Sequence, residues 1–317
     1  MQSSEQNLYN NLIRQIDRYK HYCHEGSYKT RERYYNSCKR FCEFLAVEFC
    51  VQKFLNVNEK HIFAYAEHMK SYKAAATIHT ELSGIRKVYE WLGGKNNLPG
   101  NEKLDLPKRQ VGVFDNSWTP EEYSRAIALG KSMGRDDVYY ALKIAWVYGT
   151  RIKEACALRV YQIKEAVRNE GLEVNGKGGQ VRVVPIRTEE QKQMLAELMT
   201  YIKKRNLQPG DYIIAEQFKG GVKKAIKRIQ NWIYNHRGKF MSLDRALEVQ
   251  EGKKQRNERI TFHGLRHEYA QRLVANLKNK GNSYKTARLN TSEAMGHHRI
   301  TTTNTYLDDL PARKKKD

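Results

Sequence analysis

Residues Gly171 to Ile186 read GLEVNGKGGQVRVVPI, and on this stretch turns whether the chain is helical throughout. Two short runs rich in β-formers flank a glycine-rich turn, the pattern of a β-hairpin with Lys177 at its tip. The segments on either side carry helical periodicity. The expected fold class is therefore mainly α with a small β-sheet or hairpin, that is, α+β.

Upstream, helical segments are expected near 6–24, 29–50, 58–71 and 74–93, enough for a four-helix domain over residues 1–95. In the fourth, Leu82, Ile85, Val88, Tyr89 and Leu92 form an apolar stripe. Thr77, Thr80, Arg86 and Lys87 lie on its other faces and are the candidates for contact with a partner. Glycines, asparagines and two prolines then mark residues 96–117 as a linker. A second domain, 118–317, opens with Thr119 as N-cap and Pro120 at the first helical position. Helices follow near 119–132, 135–148 and 151–159, and after the hairpin near 188–205, 218–236, 263–278 and 285–295, with a short strand at DYIIA, 211–215.

The chain has 317 residues, more than one core usually organises. Lys plus Arg number 57 against 35 Asp plus Glu, a net charge of +22 that makes nucleic acid the leading partner. Residues 1–100 hold 15 basic and 10 acidic side chains, leaving 42 and 25 for the remainder, so both halves are basic. No apolar run is long enough to span a bilayer, nor does an apolar segment follow Met-Gln-Ser-Ser as in a signal peptide. The expectation is a soluble cytoplasmic protein, nucleoid-associated when bound to DNA. Cys23, Cys38, Cys42, Cys50 and Cys156 make an odd count, against a disulfide framework. Cys38 and Cys42 follow the core spacing of Tyr34, Phe41 and Leu45 and are read as core.

Four separated stretches offer side chains suited to a phosphodiester. In YGTRIKEACAL, Arg151 opens a helix three residues before Glu154, so a guanidinium could fork onto a phosphate at a helix N-terminus. The bland alternative is a solvated ion pair. Lys177 stands between glycines that permit close approach, although most lysines at hairpin tips merely sit in water. In TFHGLRHEYAQRL, His263 and Arg266 share a helix face. His263 and His267 have the spacing of a zinc pair but lack the Glu of an H-E-x-x-H motif. In MGHHRITTTNTYL, adjacent histidines precede Tyr306, which at the start of a final short helix is more often packing than nucleophile.

Taken together, the ordered set Arg151, Lys177, His263 with Arg266, Gly296-His297 and Tyr306 resembles the tyrosine recombinase or phage integrase family over nearly the whole chain. Glu154 matches that family's acidic position. The nine-residue interval to the tyrosine selects His297 over His298. Residues 27–46 and 77–92 resemble helices of the family's SAM-like core-site-binding domain, with no room ahead for an arm-binding domain. Gly264 stands where Asp is common and Met295 where Leu is, and the segment 278–292 is longer than usual. Only eleven residues follow Tyr306, so exchange of tails between protomers would use a short basic peptide.

The resemblance implies site-specific cleavage and rejoining of DNA through a 3′-phosphotyrosine, with strand exchange via a Holliday junction. Tyr306 would be the nucleophile, Arg151 and Arg266 the phosphate ligands, Lys177 the general acid toward the 5′ oxygen, His263 an acid/base and His297 a hydrogen-bond donor. Neither metal nor other cofactor is implied. The implied partners are double-stranded core sites, a dimer per site and a tetramer on two, clamped in a C shape by the two domains, with an accessory bending or directionality factor possible. A bacterial, phage or mobile-element origin fits. Three alternatives stay open: a type IB topoisomerase-like relaxing enzyme, an inactive DNA-binding relative, and a metal-dependent nuclease using His263, His267 and His297.

Overall fold

A computed structural model describes residues 2–106, 116–176, 179–215, 218–250, 260–297 and 300–307. The chain divides into two compact units, Met1–Gln110 and Val111–Asp317. In the first, α1 (Ser3–Tyr22), α2 (Tyr28–Glu48), α3 (Glu59–Lys70) and α4 (Ala75–Trp91) close one core. The Ser27 hydroxyl caps α2 by accepting from the Thr30 amide at 3.2 Å. Leu12, Ile16, Phe41, Leu45, Ile62 and Leu82 are fully buried, as are Cys38 and Cys42. The latter two are core residues, as their spacing requires.

The stretch read as a linker divides in two. Leu98, Leu104 and Leu106 pack against the first core, and Arg86 donates to the Pro99 carbonyl at 2.9 Å and to Asn101 Oδ1 at 2.6 Å. The hydrophobic effect thus retains residues that turn chemistry alone would release. At the other end Trp118 is buried in the second core.

The second unit begins with α5 (Pro120–Ser132), α6 (Asp136–Tyr148), α7 (Ile152–Cys156) and α8 (Val160–Asn169). Thr119 caps α5 through the Glu122 amide at 3.1 Å, as its sequence signature predicts. Strands β1 (Gly171–Asn175) and β2 (Val181–Pro185) form the antiparallel hairpin, pairing Leu172 with Val184 and Val174 with Arg182. Then come α9 (Glu189–Lys204), α10 (Gly221–Phe240), α11 (Leu243–Gln250), α12 (Phe262–Asn279), α13 (Tyr284–Ala294) and α14 (Ile300–Leu307).

Three expectations need correction. The segment 151–159 is not one helix: α7 stops at Cys156, and α8, unanticipated, starts at Val160. DYIIA forms no strand beyond an isolated bridge from Tyr212 to Arg159, and Ile213, Ile214 and Ala215 are instead buried in the helical core. Helix α11 was not expected; Arg245 anchors it, donating to both carboxylate oxygens of buried Glu122 at 2.7 and 3.1 Å. Among the described residues no helix is long and apolar enough to cross a membrane.

Candidate active site

Helix α6 ends at Gly149, and the chain re-enters helix at Ile152, leaving Arg151 as the residue before the first turn. Glu154 folds back over that turn. Its Oε2 accepts from the Arg151 amide at 2.9 Å and its Oε1 from the Arg151 guanidinium at 2.7 Å. The pair is no solvated surface decoration, because Glu154 is 2% exposed. Arg182 donates to the same Oε2 at 3.0 Å, and Arg266 lies 3.9 Å from it. One carboxylate therefore sits among three guanidinium groups. Burial pushes its pKa up, but Arg182, the Arg151 amide and Arg266 outweigh burial and hold the carboxyl below its usual range.

Arg266, on the first turns of α12, is fully buried. It donates to the Met295 carbonyl at 2.5 Å and to the Gly149 carbonyl, which ties α12 to the ends of α6 and α13. Its Nε is buried and, among the described residues, has no hydrogen-bond partner. Burial, then Arg182 and Arg151, lower its pKa to about 10, so it stays cationic at neutral pH.

His297 follows the turn at Gly296, whose φ is +63°. A Cβ there would stand 2.5 Å from Arg182 Cδ, so the turn needs glycine both for its conformation and for that close approach. His297 Nε2 lies 3.1 Å from an Arg266 nitrogen that can only donate, so Nε2 accepts. The ring proton then belongs on Nδ1, which donates to Thr303 Oγ1 at 2.8 Å. Burial, with Arg266 and Arg151 adding to it, lowers the His297 pKa to about 3.

Tyr306 is the penultimate residue of α14, not at its start. Its hydroxyl meets His263 Nε2 at 3.1 Å. Its ring lies 4.3 Å from that of His267 and stacks on His297 at 5.2 Å and 26°. The residue is 6% exposed. His263 keeps an exposed edge, yet the crowding of its ring, then Arg266 and Arg151, lower its pKa to about 4. His267, 8% exposed, is lowered to about 3 by burial, His263 and Arg266. All three imidazoles around the phenol are thus neutral at physiological pH.

The structure brings together Arg151, Glu154, His263, Arg266, His297 and Tyr306 from separated places in the sequence. Lys177 and His298 lie outside the described residues. In the first unit, Thr77 is exposed, Thr80 donates to the Ala76 carbonyl at 2.9 Å, and Lys87 pairs with Glu90 at 3.3 Å. Arg86 is committed to Pro99 and Asn101. Sequence reasoning missed Arg182 and Thr303, and treated His267 only as a zinc rival. The His263 and His267 rings stand edge to face at 5.2 Å, and among the described residues no group of three or more His, Cys, Asp or Glu is placed to hold a metal. Gly264 has its own reason: a Cβ there would meet the Asn116 carbonyl oxygen at 2.2 Å and Trp118 Cδ1 at 2.6 Å.

A mainly helical catalytic unit that gathers a tyrosine, three histidines and three arginines at one place is suited to binding an anion beside a phenol. The chain belongs to the phage integrase family, whose model matches residues 119–313, and the family's N-terminal SAM-like domain matches residues 16–95. Among solved structures, a lambda integrase dimer bound to a COC′ core site is similar at TM-score 0.63 and 18% identity, covering 94% of this chain and 95% of that one. XerH recombinase bound to palindromic difH is similar at TM-score 0.57 and 14% identity, covering 100% and 96%. The integrase of transposon Tn1549 with right-end DNA is similar at 0.55 and 15%, covering 96% and 99%. These likenesses establish a shared fold. No curated protein sequence matches significantly.

Proposed function

We propose that the protein is a tyrosine-type site-specific DNA recombinase, and the observation that carries this reading is the Tyr306 hydroxyl held 3.1 Å from His263 Nε2 beside the arginines of Glu154. A neutral phenol is a weak nucleophile and attacks only if something takes its proton. His263 is neutral and offers Nε2 to that proton. As the Tyr306 Oη–phosphorus bond forms, the bond from phosphorus to the 5′ oxygen breaks, and Lys177 protonates the departing oxygen. Arg151 and Arg266 bind the non-bridging oxygens, where charge grows in the transition state and an oriented cationic donor counts most. A 5′-hydroxyl from another strand then reverses the step, so the phosphodiester is conserved without ATP or metal.

In this arrangement His297 Nε2 accepts from Arg266, so it cannot also donate to a phosphate. The hydrogen-bonding role of His297 requires Arg266 to turn to the phosphate, which frees Nε2 and lets the ring exchange tautomer. The buried Tyr306 likewise has to be uncovered for the phosphorus to reach it. The assembly we infer is a dimer on each core site and a tetramer on two. Lambda integrase in the related structures is described both as a dimer on a core site and as a tetramer on a Holliday junction. The place of action is the DNA-containing compartment of a bacterium, or of a cell carrying a phage or other mobile element.

The test does not depend on choosing a target sequence in advance. Nicked suicide duplexes of randomised sequence, incubated with the protein in EDTA, are expected to yield SDS-resistant adducts whose recovered sequences define the site. Tyr306→Phe abolishes them. Loss of activity in EDTA, or adducts that persist in Tyr306→Phe, would sink the reading, and relaxation of any supercoiled plasmid without site-dependent exchange would reassign the protein to the topoisomerases.

A further inference from the structure

The hairpin breaks its own pattern at one residue. Leu172, Val174 and Val184 are buried on its inner face, while Val181 and Val183 are each 56% exposed on the outer one. Arg182, directly across from Val174, shares the inner face, with a side chain only 10% exposed. A strand optimised for burial would turn its valines in and its arginine out. Departures of this kind concentrate where function demands them.

We propose that Arg182 is a positioning residue that offsets the charge of Glu154, so that this carboxylate does not draw Arg151 and Arg266 wholly to itself and both can serve the scissile phosphate. This rests on the recombinase reading above. Glu154 is the carboxylate that the three arginines share, and its two oxygens are divided: Oε1 takes Arg151 at 2.7 Å and Oε2 takes Arg182 at 3.0 Å. The other Arg182 amine donates to the Ala294 carbonyl at 2.6 Å, and its Cδ packs on the Gly296 turn that leads to His297. With Arg182 present, the buried carboxylate is satisfied on both oxygens, and the cluster carries two net positive charges toward an anion. Without it, Oε2 keeps only the Arg151 amide at 2.9 Å and Arg266 at 3.9 Å. A buried carboxylate short of one partner draws the remaining cations to itself, because burial penalises a charge that is incompletely compensated. Arg151 would then close onto both oxygens in the bidentate geometry that arginine favours, and turn from the phosphate.

Adducts recovered from the randomised library supply the substrate, a nicked suicide duplex of the selected site. Arg182→Gln is expected to slow adduct formation by about 100-fold, as for loss of a preorganised charge in an active site. Removing the carboxylate's charge as well, in Arg182→Gln/Glu154→Gln, should recover most of that loss, to within about tenfold of wild type, because no excess anion then competes for Arg151. Arg182→Lys, which keeps the charge and loses the forked reach, falls between. A purely architectural arginine would not be rescued by a second substitution in its partner. A wild-type rate in Arg182→Gln, a deficit that Glu154→Gln leaves in place, or an Arg182→Lys variant as slow as Arg182→Gln overturns the inference. Absence of any Tyr306-dependent adduct from the wild-type protein would instead overturn the recombinase reading.

Discussion

The Tyr306 hydroxyl meets an imidazole whose pKa is depressed, and with that imidazole as proton acceptor this sets the pH behaviour of the first step. His263 is lowered to about 4 by the crowding of its ring and by Arg266 and Arg151, so its basic form is present throughout the neutral range. At limiting DNA the rate reports the free enzyme's groups. Adduct formation should therefore show no inflection near the ordinary histidine value of about 6.5, and should fall only as the pH approaches 4; an inflection between about 6 and 7 would contradict the assignment of His263 as acceptor. Gly296 offers a second residue-scale check. With φ at +63° and Arg182 Cδ against the position of its missing side chain, Gly296→Ala should cost about 1–3 kcal/mol of unfolding free energy, measurable by denaturant titration. It should also slow adduct formation, since the turn carries His297. At this scale the gathering of Tyr306, His263, Arg266 and His297 at one place was legible because ordered motif spacing survives in sequence. Arg182 was not, because which face of a short strand turns inward depends on pairing and packing, and Val-Arg-Val-Val satisfies either register.

Elements were legible where local signals were complete, and were missed where long-range partners decided. Helix α5 announces itself through Thr119, Pro120 and two acids, and the hairpin through its glycines. Helix α11 has no comparable signal. It exists because Arg245 reaches Glu122, more than a hundred residues earlier, and also donates to the Ser117 carbonyl at 2.6 Å, while Ser242 donates its amide and hydroxyl to the same carboxylate at 3.1 and 3.0 Å. Burial acts to raise the Glu122 pKa, but Arg245 and the backbone donors outweigh it and keep the carboxyl ionised. Removing one member leaves the other buried and unpaired. Glu122→Ala should therefore destabilise the second unit by about 3–5 kcal/mol. The first unit's transition should not move, a contrast that scanning calorimetry resolves. DYIIA failed as a strand for the complementary reason: its β-rich composition is equally suited to filling a helical core when no neighbouring strand is available to pair.

For the molecule as a whole, the charge of +22 and two separate cores lead to two expectations. Binding that rests on phosphate contacts should fall linearly in log K with log salt, losing roughly a thousandfold between about 50 and 200 mM if some six phosphates are neutralised; salt-insensitive binding would rule such contacts out. Acid should act unequally on the two units. In the unfolded chain His267 and His297 protonate near 6.5, whereas folding lowers both to about 3. Below 6.5 the unfolded state therefore binds protons that the folded state refuses, so the stability these residues allow is full above 6.5 and is lost as pH falls toward 3. Between pH 6.5 and 5.5 the two groups together should remove roughly 2 kcal/mol from the second unit. The lowered carboxylates, Glu122 and Glu154, do not enter this window, because their unfolded counterparts stay ionised until the pH nears 4.5. Among the described residues of the first unit, His61 is lowered by burial, and the lowered carboxylate Glu81 titrates only at more acidic pH. Each unit having its own core, thermal scans at constant ionic strength should resolve two transitions that separate as the pH drops, the transition of residues 111–317 moving further. Equal displacement of both would mean that His267 and His297, the two rings packed against Tyr306 on which this difference rests, are not held neutral by the fold.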